Sequence, residues 1–336
     1  MSAMQYRRLG RSGLEVSTLC LGTMMFGDRT DAATTNEIIA HAQDAGVNFI
    51  DTADVYTKGA SETLTGAAIR DRRTRWILAS KAGNVMTDAR VDGGLSRRWL
   101  VAACDGSLKR LGTDYIDIYY LHKDDTVTPL AETVAALGDL IRAGKIRYFG
   151  VSNYRGWRIA EIVRLCDKLG VTPPVVCQPY YNLLNRNPEV EILPACDHYG
   201  IGVATYSPIA RGVLTGKYST GEAPQDSRGA RKDRRLMETE FRKESFAIAD
   251  TLAVHAAKTG RTLVQFALAW LWANPIVSSV IAGPRTLAQW QDYVGAIGTA
   301  WTGDDEKLVD SLVPPGHPST PGYSDPQYPF FGRRRA

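Results

Sequence analysis

Eight times along the 336-residue chain, a short run rich in Val, Ile, Leu and Tyr is apolar at consecutive rather than alternate positions. The runs are VSTLCLG (16–22), VNFID (47–51), RWILASK (75–81), YIDIYYLH (115–122), IRYFGVS (146–152), PVVCQ (174–178), IGVATYS (201–207) and VSSVIAG (277–283). Continuous apolar runs of this length suit strands buried on both faces, as parallel strands are. Between them lie segments of helical spacing such as TTNEIIAHAQDAG, SRRWLVAACDGSLKRLG, PLAETVAALGDLIRAG and YRGWRIAEIVRLCDKLG. Stops with basic residues just before a glycine are expected at Gly112, Gly144 and Gly170. Eight strand-helix units predict an α/β fold closed into a (β/α)8 TIM barrel.

An open doubly wound sheet is the competing architecture, but LGTMMFG after the first run lacks the GxGxxG turn that such sheets use for dinucleotides. GVLTGK is too short between its glycines for a Walker loop. Ahead of the first unit, YRRLGRSGLEVSTL predicts a β-hairpin turning at Arg11-Ser12-Gly13 and covering one barrel end. The connection from Pro208 to about Glu240, after strand seven, is long for a barrel loop and reads as functional or loose, with GEAPQDSRGARKD a candidate lid. One domain over 1–336 is expected, with a barrel core at about 16–300 and an extended Pro-rich tail at 313–336 that packs on the surface, on its own chain or another subunit.

Composition enters as exclusion. With 44% apolar and 23% charged residues the chain can fill a core, so disorder drops out. A formal net charge of +4, with one dense basic run at RGARKDRR (228–235) that reads as solvated apart from a chance that Arg228 or a neighbour clamps a ligand, gives little reason to expect nucleic acid. Cys20, Cys104, Cys166, Cys177 and Cys196 are widely spaced and form no CxxC pair, so no metal is expected and a reducing, cytoplasmic setting is. The uncharged stretch 263–283 is cut at Asn274-Pro275 and reads as a buried helix followed by a buried strand, not a membrane span.

Barrels place their chemistry where strands end at the C-terminal face. Read there, the runs end in Asp51, Lys81, His122, Ser152-Asn153, Gln178 and Tyr206-Ser207, and Tyr56 follows Asp51 in its loop. An acid, an ammonium, a phenol and an imidazole form a candidate proton-transfer site. Lys81 would pull the Tyr56 pKa down, Asp51 would hold Lys81 charged, and His122 would donate beside Tyr56 to an oxygen that gains negative charge. Asp54 reads as a turn or rim carboxylate, and His41, His198, His255 and His317 as surface groups. Tyr180 and Tyr181 either fill space or meet substrate.

The stretches GVNFIDTADVY, ILASK, DIYYLHKDD, YFGVSN, QPYYNLLNR and TYSPIARGVLTGKY resemble, in order, the signatures of the aldo-keto reductase superfamily, from about residue 5 to 312. The resemblance implies an NAD(P)H-dependent carbonyl reductase with Asp51, Tyr56, Lys81 and His122 as catalytic tetrad and Tyr56 as general acid. It further implies that Ser152, Asn153 and Gln178 bind the nicotinamide carboxamide, that Tyr206 stacks on its ring, and that Gly22, Thr23 and Met24 approach that half. Ser207, Ile209, Arg211 and Leu214 would follow the pyrophosphate. Strand eight ends in IAGPRTLAQW, and the next helix's free N–H groups with Arg285 suit an anion. The family's usual ending there is similar to GxxxxxQLxEN. This chain matches at Gly283 and Gln289, carries Asp292 in the acidic position and departs at Tyr293. Arg285 favours NADP(H) over NAD(H). The partner is then a small carbonyl or alcohol substrate. The same residues suit a dehydrogenase oxidising an alcohol or sugar, and the family's barrel also serves as a non-catalytic β-subunit of potassium channels. Nothing in the sequence fixes an oligomeric state.

Overall fold

A computed structural model describes residues 3–87, 92–219, 223–225 and 227–329. The candidate lid and the tail therefore lie partly outside the described residues, at 220–222 and 226 and at 330–336. The chain opens with strands β1 (Tyr6–Arg8) and β2 (Glu15–Ser17), paired antiparallel. Eight parallel strands follow: β3 (Leu19–Gly22), β4 (Phe49–Asp51), β5 (Ile77–Ala82), β6 (Ile116–Leu121), β7 (Ile146–Ser152), β8 (Val176–Gln178), β9 (Gly202–Tyr206) and β10 (Val277–Ala282). They run in sequence order around a closed barrel, with β10 pairing β3. Every apolar run read from the sequence coincides with one of these strands, with β5 running one residue past its run to Ala82. The ladders at β4 and β8 are shorter than their runs, and in the latter case Pro173-Pro174 supply no N–H to extend the pairing.

The helices around the barrel are α1 (Ala32–Asp44), α2 (Ala60–Ile69), α3 (Arg97–Leu111), α4 (Leu130–Arg142), α5 (Gly156–Leu169), α6 (Ile192–Tyr199), α7 (Arg234–Thr239), α8 (Lys243–Lys258), α9 (Leu263–Ala273), α10 (Leu287–Gly295) and α11 (Gly303–Leu312). Gly112 and Gly170 cap α3 and α5 with left-handed backbone, φ 63° in each case, which accounts for the glycine punctuation in the sequence. Helix α9 is almost wholly buried and stops at Asn274, so its apolar surround is core. Among the described residues no helix is long and apolar enough to cross a membrane.

The hairpin closes the barrel floor. Leu9 and Val16 are fully buried against Cys20, Phe49, Ala79 and Ile118, and Arg7 donates to the carbonyls of Trp272, Asn274 and Val277 just before and at the start of β10. The opposite end receives the connection after β9 and the tail. That connection is folded in part, as a 3-10 turn at Ala210–Thr215 and helix α7. The tail lies on its own barrel: Ser319 N–H donates to Leu184, Arg242 stacks on the Tyr323 ring at 3.9 Å, and Arg235 forks onto Asp325 at 2.6 and 3.0 Å. One histidine expected at the surface is engaged instead, since His255 Nε2 meets the buried Asp305 at 2.6 Å.

Helix α2 positions the loop that carries Tyr56, and it does so by backbone contact with α3. A Cβ on Gly66 would sit 2.1 Å from the Leu111 carbonyl oxygen. Gly→Ala in a helix ordinarily stabilises by about 1 kcal/mol. Gly66→Ala is expected to reverse that sign and cost about 1–3 kcal/mol, the scale of overpacking, read as a lower denaturant midpoint at unchanged slope. A raised midpoint would show that the two helices do not meet there.

Candidate active site

Strand β4 delivers Asp51, and the chain then turns sharply. Thr57 and Lys58 adopt left-handed backbone (φ 48° and 52°) and Gly59 follows at φ 94°, so Tyr56 is turned back over the barrel mouth. Lys81, the fifth residue of β5, is fully buried. Its ammonium donates to Asp51 Oδ1 at 2.5 Å, to the Thr52 carbonyl at 2.8 Å and to Tyr56 Oη at 3.2 Å. Three donors thus meet three acceptors, the condition under which a buried ammonium is tolerated. The second Asp51 oxygen accepts from Gln178 Nε2 at 2.9 Å. His122 follows β6, its ring edge-on to Tyr56 with centroids 5.8 Å apart.

A chain of hydrogen bonds ties the remaining strand ends together. Asn153, itself at φ 60°, donates to the His122 carbonyl (2.9 Å) and to Ser152 Oγ (3.0 Å), and accepts from Tyr206 Oη (2.8 Å). Ser152 Oγ donates to the Gln178 carbonyl. Tyr206 stacks on Tyr180 at 5.4 Å, with Arg211 over the Tyr180 ring.

Burial sets the protonation states. Removal from water acts against the Lys81 ammonium, but Asp51 first and Tyr56 second outweigh it, and its pKa ends above the ordinary value. For Tyr56 burial is the largest influence and raises the phenol pKa. Lys81 opposes this without overcoming it, so the expected lowering of that pKa is not what the structure gives. His122 is held well below its usual value by burial and then by Lys81 and Lys123, which keeps the imidazole neutral. Its Nδ1 is buried without a partner, leaving Nε2 as the atom toward the cavity.

A cavity of about 340 Å³ runs from these groups outward. Asp51, Tyr56 and His122 border one end, and Gly22, Thr23, Met24, Asn153, Gln178, Tyr206, Ser207, Ile209 and Arg211 border its course. Gly283, Arg285, Gln289 and Asp292 lie along it as well. Three residues named from the sequence do not border it: Lys81 is buried beneath Asp51 and Tyr56, Ser152 is buried behind Asn153 and Gln178, and Leu214 is buried in the apolar core. Sequence reasoning passed over Lys217 and Tyr328, both of which border the cavity. Tyr293, the departure from the family's ending, borders it too, and so do Arg228 and Arg235 of the basic run, which are not simply solvated. Burial comes first in lowering the Lys217 pKa, and repulsion from Arg285, Arg228 and Arg231 adds to it. Cations crowded in this way favour a polyanion. At the start of α10, Thr286 caps the helix and Gln289 Oε1 accepts from the Arg285 N–H at 2.9 Å. A dinucleotide fits this donor set, with amide groups near Tyr206 and guanidinium and ammonium groups farther out.

The model of the aldo/keto reductase family matches residues 18–314. The chain belongs to that family. Among its relatives is a protein of Arabidopsis thaliana named as a probable voltage-gated potassium channel subunit beta, 41% identical over 309 residues, covering 88% of this chain and 91% of that one. A rice protein (Oryza sativa subsp. japonica) of the same name is 40% identical over 289 residues, 83% of this chain and 87% of its own. The uncharacterized oxidoreductase YrpG of Bacillus subtilis strain 168 is 35% identical over 334 residues, 96% of this chain and its entire length.

In this aldo/keto reductase Asp54 is not at a rim. It is fully buried, two residues before Tyr56, with neither carboxylate oxygen hydrogen-bonded. Burial first and the neighbouring Glu62 second push its pKa up to about 7. Glu62, also buried, is taken by Ser80 (2.5 Å) and Arg110 (2.6 Å). A carboxyl whose pKa is higher folded than unfolded contributes proton-linked stability below about pH 4, lost as pH rises through about 7. Asp54→Asn should therefore stabilise the protein by up to about 4 kcal/mol at pH 8 and leave it nearly unchanged at pH 4. Parallel chemical denaturation at the two pH values tests this. Equal shifts at both would mean that Asp54 does not titrate in the folded state.

Proposed function

We propose that the protein reduces an aldehyde or ketone to the alcohol with NADPH, with Tyr56 as general acid. The observation that carries this reading is the Lys81 ammonium, bonded at once to Asp51, Thr52 and Tyr56 beneath a cavity that has His122 on its other wall. Asn153 and Gln178 are assigned to the nicotinamide carboxamide, with Ser152 holding both in place, and the ring to Tyr206. Gly22, Thr23, Met24, Ser207, Ile209 and Arg211 follow the cofactor outward, with Lys217, Arg228 and Arg285 on its phosphates and Gln289 and Asp292 beyond. Leu214, buried, serves the turn at Ala210–Thr215.

When bound, the reduced nicotinamide supplies the hydride that adds to the carbonyl carbon. The carbonyl oxygen lies between Tyr56 Oη and His122 Nε2. His122, neutral, donates a hydrogen bond as negative charge grows on that oxygen. Tyr56 gives its proton to it, and Lys81 stabilises the phenolate left behind. Asp51 keeps the ammonium charged and in place.

Burial raises the Tyr56 pKa above its ordinary value, so the phenol carries its proton at neutral pH, as a general acid must. A second reading, association with a channel as a β-subunit, is favoured by the names of the two plant relatives. It is compatible with the same barrel, and turnover of an aldehyde by the purified protein separates a catalyst from a purely regulatory subunit.

Tyr56→Phe should keep NADPH binding and lower aldehyde turnover by about 10²-fold or more, the contribution of a general acid. Turnover within a few-fold of the parent would remove Tyr56 from that role. Arg285→Ala should weaken NADPH by about 1–3 kcal/mol, the scale of charge-assisted hydrogen bonds, with little change for NADH. Equal losses in a binding titration would place Arg285 away from the 2′-phosphate.

A further inference from the structure

A second cavity, of about 420 Å³, lies beside the first between the loops after β7 and β8 and the tail. Tyr154, Pro179, Tyr180, Pro188 and Ile192 supply apolar wall. Of its three charged wall residues, Asp325 accepts the Arg235 fork, Arg155 donates to the carbonyls of Tyr328 and Pro329 at 2.8 and 3.2 Å, and Glu191 is half-buried and so partly reached by water. A pocket of this size and lining suits a neutral ring system of one or two rings.

The two cavities share two wall residues, Asn153 and Tyr328. Asn153 is fixed by its bonds to His122, Ser152 and Tyr206. Tyr328 is held through its backbone by Arg155, while its phenol meets Gln327 Nε2, the exposed residue before it, at 3.2 Å. Its ring lies 5.9 Å from the Arg235 guanidinium, and the side chain stands as a partition between the two spaces.

We propose that the second cavity receives the non-reacting end of the carbonyl substrate, an uncharged aromatic or alicyclic group, and that Tyr328 is the specificity-determining residue between it and the reacting end. This rests on the carbonyl-reductase reading above. A substrate bound this way has its oxygen at Tyr56 and His122 and its ring system beyond the plane of Tyr328, against Tyr154 and Ile192.

The test compares kcat/KM for 4-phenylbenzaldehyde with that for propanal, with NADPH, in the parent protein and three variants. Tyr328→Ala should raise the ratio at least tenfold. Ile192→Trp, which fills the second cavity from a half-buried wall position, should lower it at least fivefold, and Val190→Trp does the same from an exposed position should the Ile192 variant fail to fold. An unchanged ratio in Tyr328→Ala and in the folded Trp variant overturns the proposal. If propanal and 4-phenylbenzaldehyde are both inert in the parent, the carbonyl-reductase reading is what has failed. Calorimetric titration of 4-phenylbenzyl alcohol into the protein alone then decides the cavity: binding weakened at least tenfold by the Trp variant supports it, and no binding or unaltered binding overturns it.

Discussion

A single ammonium, that of Lys81, sets the terms for the barrel mouth. An unpaired charge buried this deeply would cost several kcal/mol, so the strand ends must bring acceptors to it. They come from β4, from the residue after β4 and from the turn beyond, which is why Asp51, Thr52 and Tyr56 lie within six residues of one another. Asp51 in turn must satisfy its second oxygen, and Gln178 does so from the other side of the barrel. The requirement spreads from one charge to a ring of residues on β4, β5, β7, β8 and β9. Left-handed backbone at Asn153 and Ser207 is tolerated along that ring.

The barrel was legible because parallel strands buried on both faces leave continuous apolar runs, and because six of the eight runs end in a residue that is polar for a reason. Asp51, Lys81 and His122 stand out since nothing in a core strand calls for them. Balances between opposing effects were less visible. That Lys81 lowers the Tyr56 pKa is right as a direction of force, yet burial of the phenol is the larger influence, and burial is a property of the assembled site. Asp54 follows the same logic, since a residue after a strand end reads as rim until the loop is seen to fold inward. Arg228, Arg235 and Tyr328 reach the cavity from 21 to 121 residues beyond Ser207, from a loop and a tail whose composition resembles solvated surface.

The outer part of the cavity works by a different principle from the inner part. Inside, each charge has a partner within the protein. Outside, Arg211, Lys217, Arg228 and Arg285 border one space, and burial together with mutual repulsion depresses the pKa of Lys217. The arrangement is costly by itself and is relieved by a polyanion, so affinity for a charged ligand and a penalty on the empty protein are two views of one distribution of charge.

The hairpin and the tail close opposite ends of the barrel. The hairpin at Tyr6–Ser17 seals the floor, and the tail as far as Pro329 crosses the mouth, where Arg155 holds its last described carbonyls. A label therefore has a different meaning on each segment. One attached within the hairpin sits on a plug that does not border the cavity, whereas one attached between Tyr323 and Pro329 sits on the segment that roofs it. Immobilising the protein through the hairpin leaves the mouth facing solution, and tethering it through 323–329 pulls on the roof.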